Sequence, residues 1–140
     1  MGPKNPQTSI QTTLIFDSDV VIWMLRRHPK AVRFARTIDP AERNVSVVSY
    51  LEVLRGCRDR LEAKDFKEFM EEWFTEVVPL KPEIGDSAVS LMAQFALSHR
   101  PGVDDMLIAA TALDRKETVA TGNVKHFDFI PGLIVQRFQV

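Results

Sequence analysis

Four polar residues of this 140-residue chain are of types that bind hard divalent cations, and each stands beside an apolar segment. They are Asp17, Glu52, Asp105 and Asn123. Carboxylate and amide oxygens suit Mg²⁺ or Mn²⁺, because hard cations take oxygen ligands and Mg²⁺ usually keeps several waters. Crowded carboxylates without a cation would repel one another and raise one another's pKa. A metal site is therefore expected if the fold brings these residues together.

The segments next to the four residues predict strands and helices. Asp17 ends an apolar strand at 13–16 and precedes a helical pattern that reaches about residue 27. A second strand is predicted at 44–48, and Ser49 can cap the helix that carries Glu52. Asn123 follows a strand at 118–121, and a helix is expected to begin at Asp104 or Asp105.

The rest of the chain continues this alternation. Further elements are predicted as a short helix from Pro29, a helix at 62–75, a strand at 77–78, a helix at 82–99 and a strand at 133–135. Alternating strands and helices indicate an α/β fold with a mainly parallel sheet of four to five strands, covered on both faces. The carboxyl ends of such strands converge at one edge, where ligands bind.

One helical segment has a wide aromatic stripe. Its members share helical spacing and are Phe66, Phe69, Met70, Trp73 and Phe74. The stripe predicts core or subunit-interface packing, and docking of a partner protein on it is a further hypothesis.

Composition narrows the class of protein. With 45% hydrophobic and 26% charged residues, the chain has the average character of one globular domain. The single cysteine, Cys57, excludes an internal disulfide and a cysteine-based zinc site. Residues 1–12 are polar and predict a flexible extension before one domain at 13–140. Without a signal-peptide core or an 18-residue apolar run, a cytoplasmic protein with no membrane segment is expected.

The net charge of −1 argues against a protein that coats nucleic acid generally, yet basic residues cluster between Asp19 and Asp39. This stretch contains Arg26, Arg27, His28, Lys30, Arg33 and Arg36 and no acid. Residues that share a helical face there could contact phosphates. A solvated basic face is the alternative.

Each candidate ligand also has a structural explanation. Asp17, Asp19, Asp104 and Asp105 could cap helices. Glu52 could pair with Arg55 or Arg58, and Asn123 could serve a left-handed turn. The joint placement of the four residues at strand ends and helix starts favours a functional site over these separate explanations.

Four segments of the sequence together resemble the PIN-domain family, specifically the VapC-like toxins of type II toxin–antitoxin pairs. They are LIFDSDVVI at 14–22, VSVVSYLEVLRG at 45–56, DMLIAATA at 105–112 and TGNVKHF at 121–127, and they occur in the family's order. The resemblance implies a PIN-like α/β/α sandwich. It puts Asp17, Glu52 and Asp105 on the family's first three acidic positions.

The fourth acidic position departs from the family pattern. Asn123 stands where the family often has Asp, and His126 stands where many relatives carry an acid before the Phe. We interpret Asn123 as a water-mediated contact or an orienter of substrate. We interpret His126 as a phosphate contact, with an exposed turn residue as the alternative. Asp104, which could share the third acidic role, is an additional candidate, as are Ser18 and Thr121.

The resemblance implies a metal-dependent endoribonuclease that hydrolyses RNA. Mg²⁺, or Mn²⁺, would be held by Asp17 and Asp105 with Glu52 beside them. It also implies a small cognate antitoxin and a homodimer. The candidate RNA contacts are Arg26, Arg27, Lys30 and Lys125.

Two other functions fit parts of the sequence. A PIN-like fold kept as a non-catalytic RNA- or protein-binding module is one, because the fourth ligand is not acidic. A haloacid-dehalogenase-type phosphatase with Asp17 as nucleophile is the other. That enzyme would need Asp19, a catalytic Lys and a later acidic pair at a strand end with a Gly. Here Asp104-Asp105 leads directly into a helix, and the chain is short for that fold. Asp19 is therefore expected to cap the first helix.

Overall fold

A computed structural model describes residues 13–140 and has a five-stranded, parallel sheet at its centre. The strands are β1 (Leu14–Phe16), β2 (Arg43–Ser46), β3 (Glu76–Val78), β4 (Thr118–Thr121) and β5 (Val135–Arg137). Their order is β3-β2-β1-β4-β5, so β1 is the central strand. The predicted extension at 1–12 lies outside the described residues.

Six α-helices connect and cover the strands in the described part of the chain. They are α1 (Ser18–Leu25), α2 (Pro29–Arg36), α3 (Val47–Arg55), α4 (Arg60–Trp73), α5 (Pro82–His99) and α6 (Val103–Arg115). The alternation confirms the predicted α/β/α class. Within residues 13–140, none of the helices combines the length and the apolar surface that a membrane span requires.

The sheet separates two hydrophobic cores because successive side chains of a strand point to opposite faces. Phe16 of β1 packs in the core formed with α1 to α4, with its ring 5.2 Å from that of Phe74. Its neighbour Ile15 lies in the other core, with Ile84 of α5 and Ile108 of α6. β1 is therefore buried on both faces, and the residue that follows it, Asp17, is buried as well.

The aromatic stripe of α4 belongs to the first core. Phe66, Phe69, Met70 and Trp73 are all buried. Core packing is thus confirmed, and little surface of these side chains is left for a partner.

Several element boundaries differ from the sequence prediction by one to three residues: α4 spans Arg60–Trp73 rather than 62–75, and α6 begins at Val103 rather than at Asp104 or Asp105. Two further differences have a visible local cause. α3 begins at Val47 rather than after Ser49, because the Ser46 hydroxyl accepts a hydrogen bond from the Val48 amide at 3.1 Å. β5 begins at Val135, where pairing with Val119 starts. Leu133 is still part of the preceding turn, and its amide donates to the Ile130 carbonyl.

A buried arginine joins the elements around β2. The Arg43 guanidinium donates to the carbonyls of Ala35 and Ile38 through Nε and to that of Trp73 through Nη1, at 2.9, 3.0 and 3.1 Å. The side chain therefore satisfies carbonyls at the ends of both α2 and α4.

Arg43→Ala should lower the free energy of unfolding by about 3 kcal/mol, because it leaves buried carbonyls without donors. Urea denaturation measures the change. Arg33→Ala, an exposed change on α2, is the matched control and should stay within about 0.5 kcal/mol of the wild type. Equal losses in the two variants would contradict this role for Arg43.

Candidate metal centre

Asp17 is held in place where the central strand ends. Parallel pairing of β1 with β4 sets Phe16 opposite Ala120, so the residues that follow both strands are neighbours. The Asp17 carboxylate accepts hydrogen bonds from the Thr121 hydroxyl and from the Ser18 amide, both at 2.8 Å. It is 4% exposed. The side chain also caps α1, so the helix-cap explanation and the functional one apply to the same residue.

The environment of Asp17 disfavours its negative charge. Burial, and then the nearby charge of Asp19, raise the pKa of Asp17 to about 6, although the hydrogen bonds from Thr121 and Ser18 act in the opposite direction. The negative charge of Asp105 adds to the increase. The hydrogen bonds from Thr121 and Ser18 therefore do not compensate for the burial of this charge. A bound cation would compensate for it.

Glu52 reaches the same cluster from α3. Burial raises the pKa of Glu52 to about 7, and hydrogen bonding to Asp104 and the charges of Asp104 and Asp17 add to the effect. Contact with Ser18 lowers it. The Oε1 atom is buried and has no hydrogen-bond partner among residues 13–140. The alternative pairing with Arg55 or Arg58 is not formed: Arg58 pairs with Glu62 at 2.7 Å, and Arg55 forms no ion pair with Glu52 among residues 13–140.

Asp104 and Asp105 both lie in the first turn of α6, but they have different partners. Asp105 Oδ2 lies 3.0 Å from His126 Nδ1. Burial and then the Asp104 charge raise the pKa of Asp105, while His126 lowers it. Asp104 instead contacts Glu52. A Cβ on Gly102 would lie 2.6 Å from Asp104 Oδ1, so this close approach needs glycine.

Asp19 was expected to cap the first helix. Its Oδ1 atom accepts a hydrogen bond from the Val20 amide in the first turn of α1 at 2.8 Å, and the side chain has a second role as well. The cap residue is Asp17, whereas Asp19 Oδ2 accepts hydrogen bonds from the Gly122 amide at 2.9 Å and from Asn123 Nδ2 at 3.4 Å. Asp19 thereby fixes the turn after β4. The sequence shows only the Asp-x-Asp spacing of Asp17 and Asp19, which does not predict that the second carboxylate reaches the turn after the fourth strand.

Asn123 does not adopt the left-handed conformation that was its alternative explanation. The φ of Asn123 is −103°, and its backbone N–H donates a hydrogen bond to the Thr121 hydroxyl at 2.9 Å. Thr121 thus connects Asn123 to Asp17 through one hydroxyl group. This places Asn123 beside the carboxylates through a hydrogen-bond chain.

Most of the predicted site residues line one cleft of about 540 Å³. They are Asp17, Ser18, Asp104, Asp105, Asn123, Lys125 and His126. Glu52 lines a larger groove of about 910 Å³ together with Arg26 and Arg27. Since Glu52 also contacts Asp104 and Ser18, it lies at the junction of the two. Lys30, at the start of α2, lines neither.

The donor set fits a hard cation. Among residues 13–140, no three His, Cys, Asp or Glu side chains already form a group ready to hold a metal ion. The buried carboxylates with raised pKa values and the unpartnered Glu52 Oε1 nevertheless offer oxygen donors whose negative charge a cation would stabilise. Because all these donors are oxygens, the set suits Mg²⁺ or Mn²⁺.

Comparison with known proteins gives a consistent result. The model of the PIN domain family matches residues 14–130. VapBC2 from Rickettsia felis bound to a DNA fragment from their promoter matches with a TM-score of 0.74 and 15% identity, over 91% of this chain and 99% of that chain. A toxin–antitoxin complex from Klebsiella pneumoniae matches with a TM-score of 0.73 and 20% identity, over 91% and 99%.

DNA-bound VapBC from Salmonella typhimurium matches with a TM-score of 0.75 and 21% identity, over 89% of this chain and 97% of that chain. Because these sequence identities are low, the three matches show similarity of fold only. Comparison with curated proteins gives no match.

Asp17→Asn should stabilise the metal-free protein, and the gain should grow with pH. The folded pKa of about 6 lies above the ordinary value of 3.8, so the folded state binds more protons and the wild type loses stability as pH rises between these values. Above about pH 7 the variant should be more stable by about 1–3 kcal/mol. Urea denaturation in EDTA, repeated at pH values from 3.8 to above about 7, measures the difference in stability between the variant and the wild type.

Asp86→Asn, an exposed change on α5, is the control and should leave the pH dependence of the wild type unaltered. If wild type and Asp17→Asn gave parallel stability curves, Asp17 would not carry the unfavourable charge described here.

Proposed function

Because the chain belongs to the PIN domain family, we propose that it is a metal-dependent endoribonuclease and the toxin of a type II toxin–antitoxin pair. The observation that carries the proposal is the crowding of carboxylates around Asp17, whose pKa is raised to about 6 at the carboxyl edge of the sheet. Such crowding is unfavourable for stability and is explained by a divalent cation.

In this proposal Asp17, Asp105 and Glu52 hold Mg²⁺ or Mn²⁺, and Asp104 assists through its contact with Glu52. The bound ion supplies Lewis-acid polarisation of the scissile phosphate and lowers the pKa of water. Thr121 and Ser18 orient the Asp17 carboxylate through their hydrogen bonds. Glu52, whose buried Oε1 has no hydrogen-bond partner among residues 13–140, would orient the attacking water through that oxygen.

Substrate phosphates would be bound on the cationic side of the cleft. Lys125 is exposed there, and His126 is held against Asp105. Asn123 can orient substrate from the turn that Asp19 fixes. Unpaired RNA is the expected substrate, because splayed nucleotides reach a recessed site more readily than a duplex does. In-line attack by water leaves a 5′-phosphate and a 3′-hydroxyl.

The proposed partner is a small antitoxin protein. The likeness to VapBC structures and to a toxin–antitoxin complex supports it. The resemblance also motivates a homodimer and a cytoplasmic location, which mass measurement in solution and cell fractionation test.

A non-catalytic RNA- or protein-binding module remains the second candidate function. It is favoured by one observation, the pairing of Asp105 with His126 where relatives carry an acid. Membership of the PIN domain family argues against the phosphatase.

Purified protein should cleave single-stranded RNA with Mg²⁺ or Mn²⁺ and lose the activity in EDTA. Asp17→Asn, Glu52→Gln and Asp105→Asn should each reduce the rate about 100-fold or more, because each removes a charge from the site. Cleavage of a 5′-labelled RNA, followed by mapping of product ends, measures this. Asp86→Asn is the matched carboxylate control and should cleave at the wild-type rate.

Full activity in the three site variants would refute the site. Wild-type protein that binds RNA tightly but never cuts it would favour the binding module.

Mg²⁺ should also stabilise the folded protein independently of cleavage. At about 100 times the dissociation constant, the gain should be about 2.7 kcal/mol. Thermal denaturation with Mg²⁺ and with EDTA measures the shift in Tm, which Asp17→Asn and Asp105→Asn should abolish and Asp86→Asn should retain. An identical shift in all variants would show that the ion binds elsewhere.

A further inference from the structure

Three aromatic rings stand at the rim of the cleft that contains Asp17 and Asp105. His99, the last residue of α5, is stacked on Phe129 with ring centroids 4.1 Å apart and an interplanar angle of 17°. Phe95 meets both rings edge-on, at 5.6 Å from His99 and 5.0 Å from Phe129. His99 and Phe129 both line the cleft.

The arrangement leaves one face of the His99 ring uncovered by the other two rings. Phe129 covers one face, and the centroid distances put Phe95 beside the stacked pair rather than on top of it. The Ser98 hydroxyl lies 2.7 Å from His99 Nδ1 and fixes the ring further. His99 is exposed, so it presents a flat aromatic surface of fixed orientation.

The residues beside this ring are cationic. Arg100 follows His99 directly and ends α5 in the left-handed conformation, with φ of 47°, and it lines the same cleft as Lys125. Both are exposed, and neither forms an ion pair within residues 13–140. A flat ring with cations beside it suits a nucleotide, which has a π face and a phosphate.

We propose that His99, supported by Phe129, is a base-stacking subsite that receives an unpaired nucleobase of RNA next to the phosphate bound at the carboxylates. The inference rests on the proposed function. A stacking contact tolerates all bases, because every base has a π face, so the subsite would provide affinity and register more than sequence readout.

A test uses short single-stranded RNAs in which 2-aminopurine replaces one nucleotide at a time. Binding is measured in an Asp17→Asn background, so that the RNA stays uncut, by fluorescence of the base and by anisotropy. One position should be quenched on binding. Adding His99→Ala should remove that quench and weaken binding about tenfold. His99→Phe should keep both, because it keeps an aromatic face.

Two controls separate stacking from a structural role of His99. Leu97→Ala changes a residue of the same helical turn that is 92% exposed and does not line the cleft, so it should change neither readout. An abasic nucleotide at the quenched position should weaken binding about tenfold with His99 present and have little further effect with His99→Ala.

The outcomes distinguish this inference from the proposed function. Unchanged quench and affinity in His99→Ala, or an equal abasic effect with and without His99, overturns the subsite. If protein with Asp17 intact cuts RNA and His99→Ala cuts it with the same KM, the nuclease stands and the subsite falls. If it cuts no RNA but shows the His99-dependent quench, the subsite stands and the nuclease falls.

Discussion

Burial of the Asp17 carboxylate at the end of the central strand is the constraint on which the site depends. β1 has a paired strand on each side and a hydrophobic core on each face, so the residue that follows it cannot leave the interior. Thr121 and the Ser18 amide supply donors, yet the pKa of Asp17 is still raised to about 6. The fold therefore holds the Asp17 carboxylate where its negative charge is unfavourable. A cation bound there would remove that unfavourable energy.

Two glycines near Asp17 allow carboxylate oxygens to lie close to the backbone, because a glycine has no Cβ. Gly102 lets the Asp104 carboxylate lie against the backbone before α6, and a Cβ on Gly122 would lie 2.7 Å from Asp19 Oδ2. Each glycine thus makes room for a carboxylate oxygen rather than for a left-handed turn. Asp19 of α1 and Asp104 of α6 thereby add negative charge near the edge of the sheet, which strengthens the need for a counter-charge.

Local chemistry determined how much of this could be predicted from the sequence. The helix at 82–99 has the predicted bounds, because Pro82 fits the first helical position and the apolar spacing continues to the end. The sequence did not identify Ser46 as the cap of α3, because Ser46 and Ser49 both carry a hydroxyl group that can cap a helix. Only the pairing of β2 in the sheet determines where the strand ends and the helix begins. The contacts of Asp19 with the turn after β4 and of Glu52 with Asp104 join distant residues, and single-sequence patterns carry no information on such distances.

The departure at the fourth acidic position has a physical consequence for a metal-dependent mechanism. Where the resemblance to the family leads one to expect acidic residues, the cleft has an amide, Asn123, and an imidazole, His126, which lies 3.0 Å from Asp105. Contact with His126 lowers the pKa of Asp105 and so offsets part of the effect of burial and of the Asp104 charge. In the proposed nuclease fewer carboxylates therefore remain to hold a second divalent ion beside the one at Asp17, Glu52 and Asp105, which favours a single-metal site.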